Sequence, residues 1–345
     1  MVICWHFTPV AIHKVDQAPV LMPLSLLHEG NTGVSLFMAL SGYLFAKLLD
    51  GRDILFGEFV RNRFLRLAPL LSVVLAIEIW NLTNNQGWKF HRATEFIAKG
   101  LVLPTWPNGG WSIAVEFHFY LLLPFLLRWS RNTVAPLIAL LVAAVALRTG
   151  VHFLRGNIQD LAYWTIGGRI DQFVLGILAW RCRHLATGRH TAIAFGAFTA
   201  FWWWLDSHGG LYGTRDSAIW ILQPAIEGVA WAFLIAWYDA RQVTDQSRIS
   251  RIIGAFGSIS FSLYLLHFYW IFGYARSLAD AGYPIENQYA ATMAALVFYV
   301  LMFFPAWATH QLIERPFLRW RRSYIATPGA TRAPGMQEAD KGPAA

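Results

Sequence analysis

Two histidines in apolar stretches have side chains suited to acid–base chemistry. His6 lies between Trp5 and Phe7 in the opening run MVICWHF, and His267 closes the stretch SLYLLH. An imidazole with a pKa of about 6.5 can take a proton from a hydroxyl group that attacks a thioester, which accelerates the reaction by about 10² to 10⁴. The alternative for either residue is a buried imidazole whose hydrogen bonds are satisfied by a neighbouring helix.

Polar side chains precede His267 at helical spacing. Ser260, Tyr264 and His267 are separated by four and three residues, so on a helix they form one polar stripe. Such a stripe is typical of a water-filled cavity in a helix bundle. A ladder of hydrogen bonds between helices is the alternative.

A second polar stripe occurs in WSIAVEFHFY. Trp111, Ser112, Glu116 and Tyr120 fall on one helical face, whereas His118 points to another. A carboxylate on that face can orient an imidazole, provided that the fold brings the two helices together. We therefore predict a catalytic role for Glu116 and expect His118 to face lipid or a neighbouring helix.

Three arginines in FVRNRFLRLAP could bind an anion. Guanidinium groups such as those of Arg61, Arg63 and Arg66 bind phosphate bidentately, and a nucleotide-bearing acyl donor carries several phosphates. Anchoring of the helix at the cytoplasmic surface is the alternative. Glu78 and Glu227 have no such polar companions along the sequence, so we favour a structural role for them.

The composition predicts that these residues lie in a membrane. Of 345 residues, 56% are hydrophobic and only 14% are charged, whereas soluble chains carry about 25% charged residues. We predict an all-α fold, a polytopic bundle of about ten transmembrane helices in the lipid bilayer. No stretch offers the contiguous basic surface of a nucleic-acid binder. The ten apolar segments lie near residues 1–13, 31–49, 67–82, 111–127, 133–147, 158–180, 191–205, 217–238, 252–274 and 289–310.

The distribution of basic residues predicts the orientation of the bundle. Nineteen of the 28 Lys and Arg residues fall on alternate connections and the C-terminal tail. The positive-inside rule therefore places both termini in the cytoplasm. We predict that residues 1–322 form the membrane domain and that the Pro-, Gly- and Ala-rich residues 323–345 form a disordered cytoplasmic tail.

Other kinds of chemistry find no support in the sequence. Cys4 and Cys182 are the two cysteines, and their positions predict neither a disulfide nor a metal site. The sequence has no G-x-S-x-G elbow, no Walker loop and no G-x-G-x-x-G motif after a strand. Soluble hydrolases, kinases and dehydrogenases are therefore not indicated.

In their order and spacing, the motifs resemble the acyltransferase-3 family of integral membrane acyltransferases, which O-acylate sugars and related hydroxyl compounds. The resemblance extends over nearly the whole chain. It rests on His6, GVSLFMALSGYLF at 33–45, VRNRFLRLAP at 60–69, WSIAVEFHFYLLLP at 111–124, GRIDQFVLGILAW at 168–180, SFSLYLLH at 260–267 and IERPF at 313–317.

The resemblance implies an enzyme that moves an acyl group, expected to be acetyl, from a cytoplasmic acyl-coenzyme A to a carbohydrate or glycoside, with no permanently bound cofactor. His6 matches the family's first-span histidine, a base or transient acyl acceptor, and Glu116 and His267 are the other expected catalytic residues. The residues expected to hold the acyl-coenzyme A are Arg61, Arg63, Arg66 and Ser41. The residues expected to bind substrate are Trp111, Tyr120, Asp171 and Tyr264.

Further expectations concern the chain ends and the setting. The family has an arginine before its first-span histidine, and the first segment is shorter than the about 20 residues needed to cross a bilayer, so we expect the natural chain to begin upstream of Met1. Without an SGNH-type domain, the protein is expected to act directly on a surface polysaccharide, lipopolysaccharide or small glycoside at the bacterial inner membrane. The alternatives are a proton-coupled secondary transporter, which the lack of internal repeats disfavours, and an inactive membrane scaffold.

Overall fold

The fold is all-α, as the sequence predicts. The only extended pairing among the described residues is an isolated antiparallel bridge between Ile54 and Ile325. The computed structural model describes residues 1–11, 21–241, 247–283 and 285–326.

Fifteen numbered helices make up this bundle, together with short helical turns. The helices of the first half are α1 Val2–Ala11, α2 Thr32–Leu49, α3 Phe56–Asn84, α4 Phe90–Lys99, α5 Trp111–Trp129 and α6 Ala135–Arg155. They are followed by α7 Gln159–Trp164, α8 Ile166–Arg181, α9 Gly188–Ser207, α10 Gln223–Ala240, α11 Arg248–Ser258 and α12 Ser260–Asp280. The last are α13 Gln288–Leu301, α14 Phe303–Thr309 and α15 Arg315–Leu318, with a π-helical turn His310–Glu314 between α14 and α15.

By length and composition, five helices in the described ranges could cross a membrane. They are α2, α3, α5, α6 and the nearly continuous helix Gln288–Leu318 that comprises α13 to α15. A sixth candidate is the pair α11 and α12, which bend by 69° at the break between them. The protein is therefore a multi-pass membrane protein.

Several of the ten predicted spans differ from the helices observed. The segment 158–180 is divided at Thr165, whose hydroxyl accepts a hydrogen bond from the Gly168 amide at 3.1 Å and caps α8. The segment 67–82 is part of the 29-residue helix α3, which begins at Phe56. Average hydropathy cannot detect either feature. A single capping hydroxyl, as at Thr165, changes the average little, and polar residues, as at the start of α3, lower it without ending the helix.

Helices α2 and α8 pack with their backbones in contact. A Cβ atom added at Gly42 would lie 2.0 Å from the carbonyl oxygen of Phe173, and one added at Gly176 would lie 2.1 Å from that of Ala39. Only glycine allows this approach, and small residues have this role at interfaces between membrane helices. The contact brings the polar groups of α8 next to those of α2.

A buried polar network joins α2, α8 and α10. Arg169 donates to the Ser35 hydroxyl at 2.8 Å and lies 3.7 Å from the Glu227 carboxylate. The Gln172 amide donates to Ser35 at 2.9 Å and to Glu227 at 3.1 Å. Glu227 therefore has polar companions after all, but they come from other helices and not from its own.

Asp171 takes part in a separate buried ion pair. Arg148 of α6 donates to its carboxylate at 2.6 Å, and both side chains are fully buried. The same guanidinium donates to the carbonyls of Gly168 and Ile221 at 2.7 and 2.8 Å. The Asp171 carboxylate is thus held in a buried ion pair, and the substrate contact predicted for it stays a prediction.

The predicted C-terminal tail divides into two parts. Residues 323–326 pack against the approach to α3, where the Ala326 amide donates to the Asp53 carbonyl at 2.9 Å. The prediction of disorder concerns mainly residues 327–345, which lie outside the described residues. The packed part of the chain thus extends at least to Ala326.

Candidate active site

His6 of α1 and His267 of α12 lie next to each other. Their ring centroids are 5.2 Å apart. Trp5 and Phe268 flank His6, each with its ring centroid 4.4 Å from the imidazole. The structure thus brings together the two histidines that the sequence singles out, although 260 residues separate them.

The backbone sets the protonation pattern of His267. Its Nδ1 lies 2.6 Å from the Tyr264 carbonyl oxygen, three residues earlier on the same helix. A carbonyl can only accept a hydrogen bond, so this Nδ1 carries the proton and Nε2 keeps its lone pair. Nε2 is buried and has no hydrogen-bond partner among the described residues. His267 therefore presents an unused base beside His6.

A tight turn before α5 brings its first residues to α12. Ser112 and the Tyr264 hydroxyl are 2.8 Å apart, and Tyr264 donates to the Gly109 carbonyl at 2.9 Å. Asn108 and Gly109 both adopt the left-handed conformation, and a Cβ at Gly109 would lie 2.6 Å from the Tyr264 hydroxyl oxygen. Glycine is needed here because of both the conformation and the contact.

The polar stripe predicted before His267 is only partly formed. Ser260 is exposed just after the bend, whereas Tyr264 and His267 point inward. Ser262 is buried and donates to the Glu314 carboxylate on the π-helical turn. All three residues belong to α12, but Ser260 is its first residue and is exposed, so only Tyr264 and His267 contribute to the buried part of the stripe.

Glu116 contacts the arginine motif and not the imidazoles. Its buried carboxylate accepts a hydrogen bond from Tyr120, and Ser41, Arg63 and Arg66 lie close enough to stabilise its charge. The described residues include no hydrogen bond between Glu116 and either histidine. The imidazole of His267 is oriented by the Tyr264 backbone carbonyl.

Arg63 lies in a cage of aromatic rings. Its guanidinium carbon is 5.0 Å from the ring centroid of Phe45, 5.6 Å from that of Phe59 and 5.8 Å from that of Tyr120. Aromatic faces attract a cation without cancelling its charge. The arrangement therefore positions Arg63 and leaves its charge available to an anion.

Arg61, also predicted to bind the donor, has a different partner. Its guanidinium forms an ion pair with Glu58 at 3.3 Å, one turn earlier on α3. Such partly exposed pairs on one helix are weak. Arg63 and Arg66 are thus the members of the motif that approach Glu116 and Ser41.

Two buried arginines were not among the residues predicted for the site. Arg169 lies with its guanidinium carbon 4.4 Å from the Tyr163 ring centroid and 5.7 Å from that of Trp111, and Arg148 pairs with Asp171. Burying a charge in a membrane is costly, and Asp171 was predicted to be functional for this reason. The same cost applies to Arg169, two residues earlier. Their partners could not be inferred, because these lie on other helices.

A second group of titratable side chains lies outside the spans, before α2. Burial, together with the nearby charge of Asp206, raises the pKa of Glu29 to about 7. Its carboxylate accepts a hydrogen bond from Asn31 at 2.8 Å. Burial acts to lower the pKa of His28, but its 2.7 Å contact with Asp206 outweighs that effect and raises it. No group of three or more His, Cys, Asp or Glu side chains suited to a metal ion occurs in the described residues.

Comparisons with known proteins match most of this chain. Residues 1–311 match a family model described as an acyltransferase domain, of the acyltransferase-3 type. A curated protein of Bacillus subtilis (strain 168), named "Putative peptidoglycan O-acetyltransferase YrhL", is 28% identical over 195 residues. That match covers 46% of the chain and 30% of the relative, so the chain spans less than a third of the relative's length. No solved structure matches the chain.

Proposed function

This chain belongs to the acyltransferase-3 family, and on that basis we propose that it transfers an acyl group to a hydroxyl group of a carbohydrate. The name of the Bacillus subtilis relative supports O-acetylation of a glycan such as peptidoglycan. The single observation that carries the proposal is the pair of His6 and His267, with ring centroids 5.2 Å apart and a free Nε2 on His267.

The reaction requires one proton transfer and one exchange of bonds at carbon. His6 takes the proton of the acceptor hydroxyl as that oxygen attacks the carbonyl carbon of the thioester. The new C–O bond forms, the C–S bond breaks, and the departing thiolate takes up the proton. His267 stabilises the protonated His6 through its lone pair on Nε2. In a two-step variant, His6 first takes the acyl group itself and then passes it to the hydroxyl.

The donor is an acyl-coenzyme A, with acetyl-coenzyme A as the expected form. Arg63 and Arg66 bind its phosphates, since both lie in the first half of α3 and neither forms an ion pair within 4.0 Å with a carboxylate of the described residues. Charge-assisted hydrogen bonds to phosphate fix the position of the donor and contribute no bond chemistry. Ser41 lies beside Glu116 on the same side of the site.

The acceptor approaches His6 from the side of Trp5. The Trp5 ring stacks on Tyr212 with a centroid distance of 6.2 Å, and the Tyr212 side chain is 74% exposed. Such rings combine an apolar face with polar edges, which suits the face of a sugar. The acceptor is a glycan or glycoside, and the membrane is the bacterial inner membrane.

Labelled acetyl-coenzyme A tests the proposal in membranes that contain the full chain. We expect label in a saccharide fraction with the wild-type protein and about 10² to 10⁴ less with His6→Ala. His118→Ala is the matched control, because His118 lies on α5 away from the histidine pair, and it should label as the wild type does. Equal labelling by His6→Ala removes His6 from the mechanism. No transfer from any acyl donor favours a transporter or an inactive scaffold.

A further inference from the structure

The segment that follows the last helix, residues 321–326, returns to the start of α3; we name it the C-terminal strap. The Asn62 amide donates to the Arg322 carbonyl at 2.6 Å, and the Arg322 amide donates to the Asn62 side chain at 3.1 Å. The Leu55 amide donates to the Tyr324 carbonyl at 2.9 Å. Asn62 lies between Arg61 and Arg63, so these bonds attach the strap directly to the arginine motif.

The strap completes the aromatic cage around Arg63. The Tyr324 ring centroid lies 5.9 Å from the Arg63 guanidinium carbon, and Tyr324 contacts Phe59 edge to face at 5.6 Å. The Nε of Arg63 is buried and has no hydrogen-bond partner among the described residues. One side of the donor site is thus formed by residues more than 250 positions away in the sequence.

The strap also adds a third positive charge beside two others. Partial burial and the charges of Arg63 and Arg66 lower the pKa of Arg321, and the negative charge of Glu314 only partly offsets this. Its side chain is exposed to solvent. Mutual repulsion of this kind costs energy unless an anion binds between the cations.

The basic residues near the strap fall into two groups. Arg61 and Arg322 each lie 3.3 Å from a Glu58 carboxylate oxygen and are therefore neutralised in part. In the described part of the chain, no carboxylate lies within 4.0 Å of the guanidinium of Arg63, Arg66 or Arg321. These three cations, none of them in an ion pair with a described carboxylate, together suit a ligand that carries several negative charges.

We propose that Arg321 joins Arg63 and Arg66 in binding the phosphates of the acyl donor, and that the C-terminal strap holds it there. This assignment rests on the proposed function, in which the donor is an acyl-coenzyme A. Coenzyme A carries a diphosphate and a separate 3′-phosphate, so it has more phosphate groups than two arginines can contact bidentately.

Binding of coenzyme A to the purified full chain in detergent tests the role of Arg321. The probes are coenzyme A, 3′-dephospho-coenzyme A and pantetheine, which has no phosphate. Arg321→Gln should weaken coenzyme A binding about tenfold, the loss expected for one charge-assisted contact, and leave pantetheine binding unchanged. Arg321→Lys should recover part of the loss because it keeps the charge.

Arg322→Gln is the matched control. It removes a positive charge from the same strap, but one that Glu58 already neutralises, and the backbone bonds to Asn62 remain. Its affinity for coenzyme A should equal that of the wild type. Equal losses in Arg321→Gln and Arg322→Gln, or no loss in either, overturn the assignment of Arg321 and leave the proposed donor intact. If the wild-type protein binds no coenzyme A, the proposed donor itself is wrong, and this inference is wrong with it.

Discussion

Individual side chains of the candidate site have partners both on their own helix and on other helices. Glu116 could orient a catalytic imidazole only if the fold brought the two helices together, but its carboxylate contacts Tyr120 and the arginine motif, and His267 is held by the Tyr264 carbonyl. The spacing of residues along one helix predicts which side chains share a face. It does not predict which helix that face meets, so residues of the candidate site could be chosen from the sequence but their contacts could not.

Glu29 should make the stability of the protein depend on pH. Its pKa is raised from 4.5 to about 7 in the folded chain, so between these values the folded state holds a proton that the unfolded state has lost. The free energy of unfolding should therefore fall as the pH rises from about 4.5 to about 7, by at most about 1.4 kcal/mol per pH unit. The raised pKa of His28 acts in the same direction.

Denaturant unfolding of the detergent-solubilised protein at a series of pH values checks this expectation. Glu29→Gln removes the titration and should flatten the decline. Glu95→Gln is the control, because Glu95 is exposed on α4 and should leave the decline as it is. Parallel curves for Glu29→Gln and the wild type would mean that Glu29 ionises with its ordinary pKa.

At the scale of the helices, a hydrogen bond joins the π-helical turn to the start of α12, just after the bend. Glu314 on that turn is buried, accepts a hydrogen bond from Ser262 and lies 3.2 Å from His310. π-Helical turns are uncommon, and they frequently occur at functional sites. Here the turn points a carboxylate at Ser262, the third residue of α12, and it leads into the strap that carries Arg321.

Loss of the Glu314 carboxylate should weaken the contact between the π-helical turn and α12. Glu314→Ala leaves the buried Ser262 hydroxyl without its partner, so the free energy of unfolding should fall by about 1 to 3 kcal/mol. Gln311→Ala, on the same turn but bonded only to the exposed Arg315, should change it little. Unfolding curves in detergent measure both. Equal stability of Glu314→Ala and the wild type would show that packing alone maintains the bend.

The helices themselves differ in how far the sequence predicts them. Long apolar runs such as 133–147 fall almost entirely inside α6, because a nearly aliphatic segment has few other solutions in a membrane. The breaks at Thr165 and Ile259 and the pairing of the strap with α3 were not predicted. Each of these three features depends on a local hydrogen bond or on a contact with a distant residue. Contacts of both kinds leave no signal in the hydropathy of the sequence.

Over the whole molecule, the orientation in the membrane is still a prediction, and Cys182 offers a way to measure it. Cys182 is half-buried between α8 and α9, in a connection predicted to be cytoplasmic, whereas Cys4 is buried. A membrane-impermeant maleimide should label the protein in inside-out vesicles and not in intact spheroplasts. Cys182→Ser should abolish the labelling. Labelling in intact spheroplasts would reverse the predicted orientation.

Helix α8 has a consequence for how the chain enters the membrane during synthesis. It carries Arg169 and Asp171 among its first six residues, and each such group costs up to about 2.5 to 3.5 kcal/mol when an isolated helix carries it into the bilayer. Arg148 leaves the ribosome before α8 and can neutralise Asp171 at once, but Glu227 is made more than fifty residues later. Helix α8 should therefore remain poorly inserted, and dependent on the insertion machinery, until α10 has been translated.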